Sequence, residues 1–391
     1  MRPRFSNRAD HVMESYIMQL ISVANRPGMI SFATGLPDRR LFDTEGIRRA
    51  AEDVLGGPES RDSLQYGTTE GLPSLREKIA SRCRKELAVD AQAEDVFITN
   101  GSQECFDHMG KLFLDPGDAV AVENPGYLGA LQSLSVYAPR FEGVDIHESG
   151  PDISMLEAAL GRQPKLYYAV PNFQNPSGMS YPPESRIAVA EALEGSGCLL
   201  IEDDAYGELG FRGRPGKSIK SLAPEDTVLT GSFSKIISPG LRVGWMVVPD
   251  WLKDRVRTSI EATCLHSGSF SQRVIDAFLE RNDLDAYLRP IRSEYGRKKR
   301  LFLDMMEEEL PDTLEWNNPE GGMFVWLRTP EGTDAMRLYE AAMARRLVVM
   351  PGRPFHVRGG GNTLRLNFAT PDDDDIITGM RALRDAYRDI S

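Results

Sequence analysis

Five histidines and four cysteines are all that 391 residues offer to a metal site or a disulfide framework. The histidines (His11, His108, His147, His266 and His356) are scattered without ligand spacing, which argues against a metalloenzyme. The cysteines (Cys83, Cys105, Cys198 and Cys264) form no CxxC pair and no Cys/His cluster. They read as reduced structural thiols of a reducing compartment. No stretch approaches the roughly 18 apolar residues needed to cross a bilayer, so no membrane partner is expected. Met1 to Asp10 is polar and lacks the apolar core of a signal peptide, which leaves the cytoplasm as the default location. Positive charge is short as well: 46 Lys and Arg face 58 Asp and Glu, a net charge of −12. Proteins that track a phosphate backbone are usually basic, so nucleic acid is not an expected partner, whereas a small anion in a locally positive pocket remains open. A dinucleotide site is also disfavoured, because no G-x-G-x-x-G follows the first strand with an acid about 20 residues later.

What is present has a clear order. The length suggests two domains sharing a cleft. Between residues 65 and 285, strand-length apolar runs alternate with amphipathic stretches. The runs are Val96–Thr99, Ala119–Val122, Leu166–Val170, Cys198–Ile201, Val228–Thr230 and Val243–Val248; the stretches between them include Ser102–Leu114 and Glu184–Leu193. This alternation predicts an α/β fold with a mostly parallel, doubly covered sheet in a large domain, residues 51–285. A long amphipathic helix over Leu284–Glu309 then leads into Phe324–Leu327, Leu347–Met350 and Leu364–Phe368, read as a smaller α+β domain, residues 286–391. Residues 1–50 are expected to pack on the small domain and the active-site cleft. The acidic run Asp372–Asp375 follows Thr370-Pro371 and suits a helix start, where carboxylates meet the positive end of the dipole.

Polar clusters stand just after four of the apolar runs: Thr99-Asn100-Gly101-Ser102, Asn172–Gly178, Glu202-Asp203-Asp204 and Ser232–Lys235. Ligands of open α/β sheets bind outside the carboxyl ends of strands, so four such clusters point to one site. In Gly231-Ser232-Phe233-Ser234-Lys235, followed by Pro239-Gly240-Leu241-Arg242-Val243-Gly244, small residues admit a bulky ligand. The hydroxyls and the arginine suit phosphate oxygens. A lysine in a basic, partly dry pocket has its charged form disfavoured and becomes a nucleophile.

Ser-x-Ser-Lys followed by Pro-Gly-Leu-Arg-x-Gly resembles the lysine motif of the class I/II aminotransferases, fold type I pyridoxal-phosphate (PLP) enzymes. The closest flavour is the α-aminoadipate and aromatic aminotransferase branch, which also supplies the enzyme-like half of certain bacterial transcription regulators. The resemblance implies PLP as cofactor, held as a Schiff base on Lys235, which would later move the substrate's α-proton. It implies that Ser232 and Arg242, beside Ser234, bind the phosphate together with the turn Gly101-Ser102-Gln103 at a helix N-terminus. Pro171-Asn172-Phe173-Gln174-Asn175-Pro176-Ser177-Gly178 is similar to the family's P-N-x-x-N-P-(T/S)-G loop, and Asn175 would then bond the ring's 3′-oxygen. Asp203 would sit under the pyridine nitrogen and Tyr206 would be a second donor to the 3′-oxygen; the D-x-x-Y spacing selects Asp203 over Asp204. Tyr127 would stack on the ring. Tyr66 would reach the cofactor phosphate of a neighbouring subunit, which implies a homodimer with shared active sites. Arg365 would clamp the substrate α-carboxylate, and Gly35 would touch the same group.

The resemblance implies transfer of an amino group from an L-α-amino acid to a 2-oxo acid. In this branch the segment Ser15–Leu20 forms a mobile helix over the substrate, and Met18 stands where some members that take acidic side chains carry an arginine. A neutral or aromatic side chain is therefore favoured, with Arg39 and Arg40 keeping an acidic one open. Two other readings stay open. The same Lys235, Asp203 and Arg365 would serve a PLP enzyme that decarboxylates, eliminates, substitutes at the side chain or forms carbon–carbon bonds. A non-enzymatic effector sensor is disfavoured by the net acidity and by a resemblance that begins as early as Ala33-Thr34-Gly35.

Overall fold

The computed structural model describes residues 3–13, 16–24 and 26–391. The strands in chain order are β1 (Ile30–Ser31), β2 (Val96–Thr99), β3 (Ala119–Asn124), β4 (Arg140–His147), β5 (Gly150–Pro151), β6 (Leu166–Ala169), β7 (Leu199–Asp203), β8 (Thr227–Ser232), β9 (Gly244–Val247), β10 (Glu315–Trp316), β11 (Phe324–Arg328), β12 (Leu347–Val348), β13 (Met350–Pro351) and β14 (Thr363–Asn367). Eight of them form one sheet in the order β2-β9-β8-β7-β6-β3-β4-β5. Strands β8, β7, β6, β3 and β4 run parallel, while β9 is antiparallel to both β8 and β2.

Alternation along the central strands splits their side chains between two cores. Leu166, Tyr168, Leu199 and Ile201 join the larger core with the helix Ser102–Phe113. Tyr167, Ala169 and Leu200 join a second core with the helices Ile153–Leu160 and Pro183–Leu193. Cover on both faces is what makes these strands continuous apolar runs. The same alternation aims Asp203, last on β7, to the side of Leu199 and Ile201.

A second sheet, β10-β11-β14-β13, is antiparallel and pairs Arg365 with both Trp326 and Met350. The 26-residue helix Leu284–Glu309 precedes it, started by Asp283, whose side chain accepts from Ala286 N at 2.7 Å. The acidic run opens the last helix, Asp373–Ile390, with Asp372 as its cap. The N-terminal segment is fastened to this part of the chain. β1 pairs in parallel with β12, Asn367 N donates to Phe32 O at 2.7 Å, and Lys298 pairs with Asp38 at 2.7 Å, both nearly fully buried.

Two expectations need correction. The single strand expected over Leu347–Met350 is divided, because the chain changes partner at Val349: β12 pairs with β1 and β13 with β14. β4 was not anticipated from the apolar pattern, since Arg140, Glu142 and Asp145 break its apolar run on a half-exposed strand near the sheet edge. Of the expected N-terminal helix, Tyr16–Ala24 is helical and Ser15 lies outside the described residues.

Candidate active site

Strands β2, β3, β6, β7 and β8 end at the same edge of the large sheet, and the segments that follow them line one cavity. Its walls carry Gly101, Ser102, Gln103, Tyr127, Asn175, Asp203, Tyr206, Ser232, Ser234, Lys235 and Arg242, with Val170, Ala205 and Pro239 completing them. Four other cavities among the described residues are larger, from about 440 to about 890 Å³ against about 130 Å³ here, so the chemistry of the walls and not size marks the site.

One end suits an anion. The chain turns at Gly101, with φ +87°, into the helix Ser102–Phe113. A side chain there is excluded twice over, by the positive φ and by Arg242, whose Nη2 would lie 2.4 Å from a Cβ. The first N–H groups of that helix have no intrahelical partner and point outward with the positive end of the dipole. Arg242 donates to Asn100 O at 2.8 Å, which holds its guanidinium beside the turn. Ser232 Oγ accepts from Ser234 N at 3.1 Å and bonds Ser234 Oγ at 2.8 Å, so both hydroxyls face the same end.

Lys235 Nζ donates to Gly35 O at 2.9 Å. Burial, then the neighbouring Arg365 and Arg242, push its pKa down to about 8. Asp203 is buried and accepts from Tyr168 Oη at 2.7 Å and Thr230 Oγ1 at 3.3 Å. Burial pushes its carboxyl up to about 6 despite those two donors. Asp204 faces away, paired with Arg214 at 2.7 Å and accepting from Asn172 Nδ2 at 2.7 Å, so the spacing argument had selected the carboxylate that reaches the cavity.

Asn175 joins the two halves of the site. Its Nδ2 donates to Tyr206 Oη at 3.3 Å, and its Oδ1 accepts from Arg365 Nη1 at 2.7 Å. Arg365 is 1% exposed. Its Nη2 donates to Ala33 O at 2.5 Å, and its guanidinium lies over the rings of Phe324 and Phe355, 4.4 and 5.1 Å from their centroids. Its Nε is buried and has no partner, and burial lowers the pKa of the group to about 10. Gly35 lies against it: a Cβ there would be 3.9 Å from Arg365 Nη1.

Tyr66 and Met18 are not brought into the cavity of this chain. Tyr66 is 77% exposed and packs edge-on against His266, with ring centroids 5.8 Å apart. Met18 is exposed on the helix Tyr16–Ala24, whose Leu20 packs in a cluster with Ala33 and Leu128, next to Tyr127. Arg40 is engaged by Asp38, with Nε at 2.9 Å and Nη2 at 2.8 Å. Tyr168, Thr230, Phe324 and Phe355 were missed. Each comes from a different strand or loop than the residue it supports, and none carries a polar motif of its own. Among the described residues no group of three His, Cys, Asp or Glu could hold a metal, and no helix is long and apolar enough to cross a membrane.

This donor set fits a phosphorylated pyridine aldehyde. It offers an anion cradle at one end and an amine of lowered pKa. It offers a buried carboxylate with only neutral donors for a protonated ring nitrogen, and an unpaired buried guanidinium N–H for a carboxylate. Comparison with known proteins agrees. The profile of the family described as Aminotransferase class I and II matches residues 27–383. An aromatic-amino-acid aminotransferase of Thermococcus litoralis is 33% identical over 98% of this chain and 94% of its own length. A 2-aminoadipate transaminase of Thermus thermophilus is 37% identical over 98% and 96%. The crystal structure of the Thermus thermophilus α-aminoadipate aminotransferase, complexed with N-(5′-phosphopyridoxyl)-L-leucine, superposes with a TM-score of 0.91 at 35% identity, covering 99% of this chain and 97% of that one.

Proposed function

Because this chain belongs to the class I and II aminotransferases, we propose that it transfers the amino group of a neutral or aromatic L-α-amino acid to a 2-oxo acid, as a homodimer with shared active sites. It is a PLP-dependent transaminase of fold type I. The observation that carries the residue assignment is that Lys235 and Asp203 line one cavity while Arg365, from a distant part of the chain, bonds the wall residue Asn175.

When bound, PLP supplies an electrophilic aldehyde and a ring that accepts electrons. Lys235 Nζ is the attachment point, and its lowered pKa keeps a share of it as free amine near neutral pH. Released, the same Nζ is the base able to take and return a proton at the substrate α-carbon. Asp203 would hold a proton on the ring nitrogen. Asn175 and Tyr206 would donate to the 3′-oxygen, Tyr127 would cover a ring face, and Gly101, Ser102, Gln103, Ser232, Ser234 and Arg242 would take the phosphate. Arg365 binds the α-carboxylate beside Gly35, where its Nε gains the acceptor it lacks.

Apolar Met18 and the engagement of Arg40 by Asp38 support the neutral preference. Exposed Leu64, Tyr66 and Leu265 support a second copy on that face, with Tyr66 reaching the other subunit's phosphate. The same division takes residues 51–285 as the large domain, 286–391 as the small domain and 1–50 as the segment packed on the small domain and the active-site cleft. A cytoplasmic setting is in keeping with four free cysteines. The test follows the absorbance of the holoenzyme as single amino acids are added without acceptor. Phenylalanine and leucine should convert the bound cofactor to its amine form faster than glutamate or 2-aminoadipate at equal concentration. The reverse order would sink the preference, and Met18→Arg should move the order toward the acidic donors.

A further inference from the structure

Two neighbouring strands, β3 and β6, end in loops that each bring one side chain to the cavity: Tyr127 after β3 and Asn175 after β6. Between the loops lies Glu123, on β3, with no exposed surface. One carboxylate oxygen accepts from Val170 N at 3.1 Å and Tyr181 Oη at 2.6 Å; the other accepts from Gln174 Nε2 at 2.8 Å. Gln174, equally buried, also donates to Pro125 O at 2.7 Å, and its Oε1 accepts from Ser177 N at 2.9 Å. The Glu123–Gln174 pair therefore binds the first loop at Pro125 and the second on both sides of Asn175, at Gln174 itself and at Ser177.

A carboxylate is a costly choice for this place. All three donors are neutral, and burial pushes the Glu123 carboxyl up to about 7. An apolar residue would fill the space at less cost, but only a two-oxygen acceptor on β3 meets all three donors of the segment after β6 and holds Gln174 where it also reaches Pro125 O of the first loop. A glutamine at 123 would turn one N–H against a donor and leave at least one bond unmade.

We propose that Glu123 and Gln174 are positioning residues, a clamp that sets the separation of Tyr127 and Asn175 around the cofactor ring. The clamp touches neither cofactor nor substrate in this reading, which rests on Tyr127 and Asn175 being ring contacts.

The test compares Glu123→Gln, Gln174→Met and Asn175→Ala holoenzymes with the unaltered protein. The readouts are PLP affinity by titration, the pH at which the bound cofactor's absorption changes, and melting of the cofactor-free chain. Both clamp variants should melt cooperatively. They should bind PLP on the order of tenfold more weakly, the usual effect of losing groups that orient a ligating residue. Their absorption transition should move to higher pH, because fewer donors then reach the ring's 3′-oxygen. If Glu123→Gln does not fold, Gln174→Met decides, since it leaves the carboxylate two of its donors. Unchanged affinity and transition in the folded variants overturn the clamp, as does loss of the fold in both, which would assign the pair to the core. If Asn175→Ala also leaves the transition unmoved, the ring-contact reading fails; if only the clamp variants leave it unmoved, the clamp alone fails.

Discussion

Asp203 and Asp204 are consecutive at the end of one strand and meet opposite surroundings. Asp203 faces the cavity with two neutral donors, and burial raises its pKa to about 6. Asp204 faces the other way into an ion network. Arg214 bridges it to Glu208, which also pairs with Arg82 and Arg292. The arginines repeat the contrast. Arg365 rests on two neutral acceptors and its pKa falls to about 10, whereas Arg214 has two carboxylates and its pKa is raised. Glu208 is held down to about 2 in spite of burial. Both guanidiniums leave Nε unpaired, so what separates the two sides is the opposing charge. Behind the strand ends charges pair directly and hold structure; in front of them Asp203, Lys235 and Arg365 form no direct ion pair, which leaves room for the charges of a ligand.

The contrast can be broken at three points. Lys235→Ala should abolish covalent attachment of the cofactor and lower transamination on the order of 10³-fold or more. The visible absorption spectrum checks this: a retained band of the lysine-bound cofactor would end the assignment. Behind the strand ends, Arg214→Met leaves Asp204 and Glu208 buried with less cation. It should destabilise by about 3–5 kcal/mol, read by urea unfolding, and a stable variant with lost activity would reverse the roles of the two sides. The smallest effect belongs to Asp203→Asn in the cofactor-free chain. An acid whose folded pKa is raised from 3.8 to about 6 costs stability once pH exceeds the unfolded value, and the whole cost is present above about pH 6. The asparagine variant should therefore melt a few degrees higher than the unaltered chain at pH 8, with a smaller difference at pH 5. The opposite slope would mean that Asp203 already has a cationic partner.

Much of the site was legible because its motifs are local. Gly101-Ser102-Gln103 is a turn into a helix, and the three-residue spacing from Asp203 to Tyr206 separated the cavity-facing acid from its neighbour. Strand limits were legible where both faces are buried, as in β2, and illegible in β4, where charged residues interrupt the apolar ones, and at Val349, where one apolar run serves two sheets. Tyr168 and Thr230 escaped because they act across the sheet, from β6 and β8, on a residue of β7.

By itself the sequence determined the fold class, the cofactor motif and the order of the strand-end clusters. These depend on periodicity and on spacings of a few residues, which the chain carries wherever it folds. The tertiary structure alone decided which charges are neutralised. Asp203 with Tyr168, Arg365 with Asn175, and Lys235 with Gly35 are contacts between distant parts of the chain, and burial and counter-charge exist only once those parts have met.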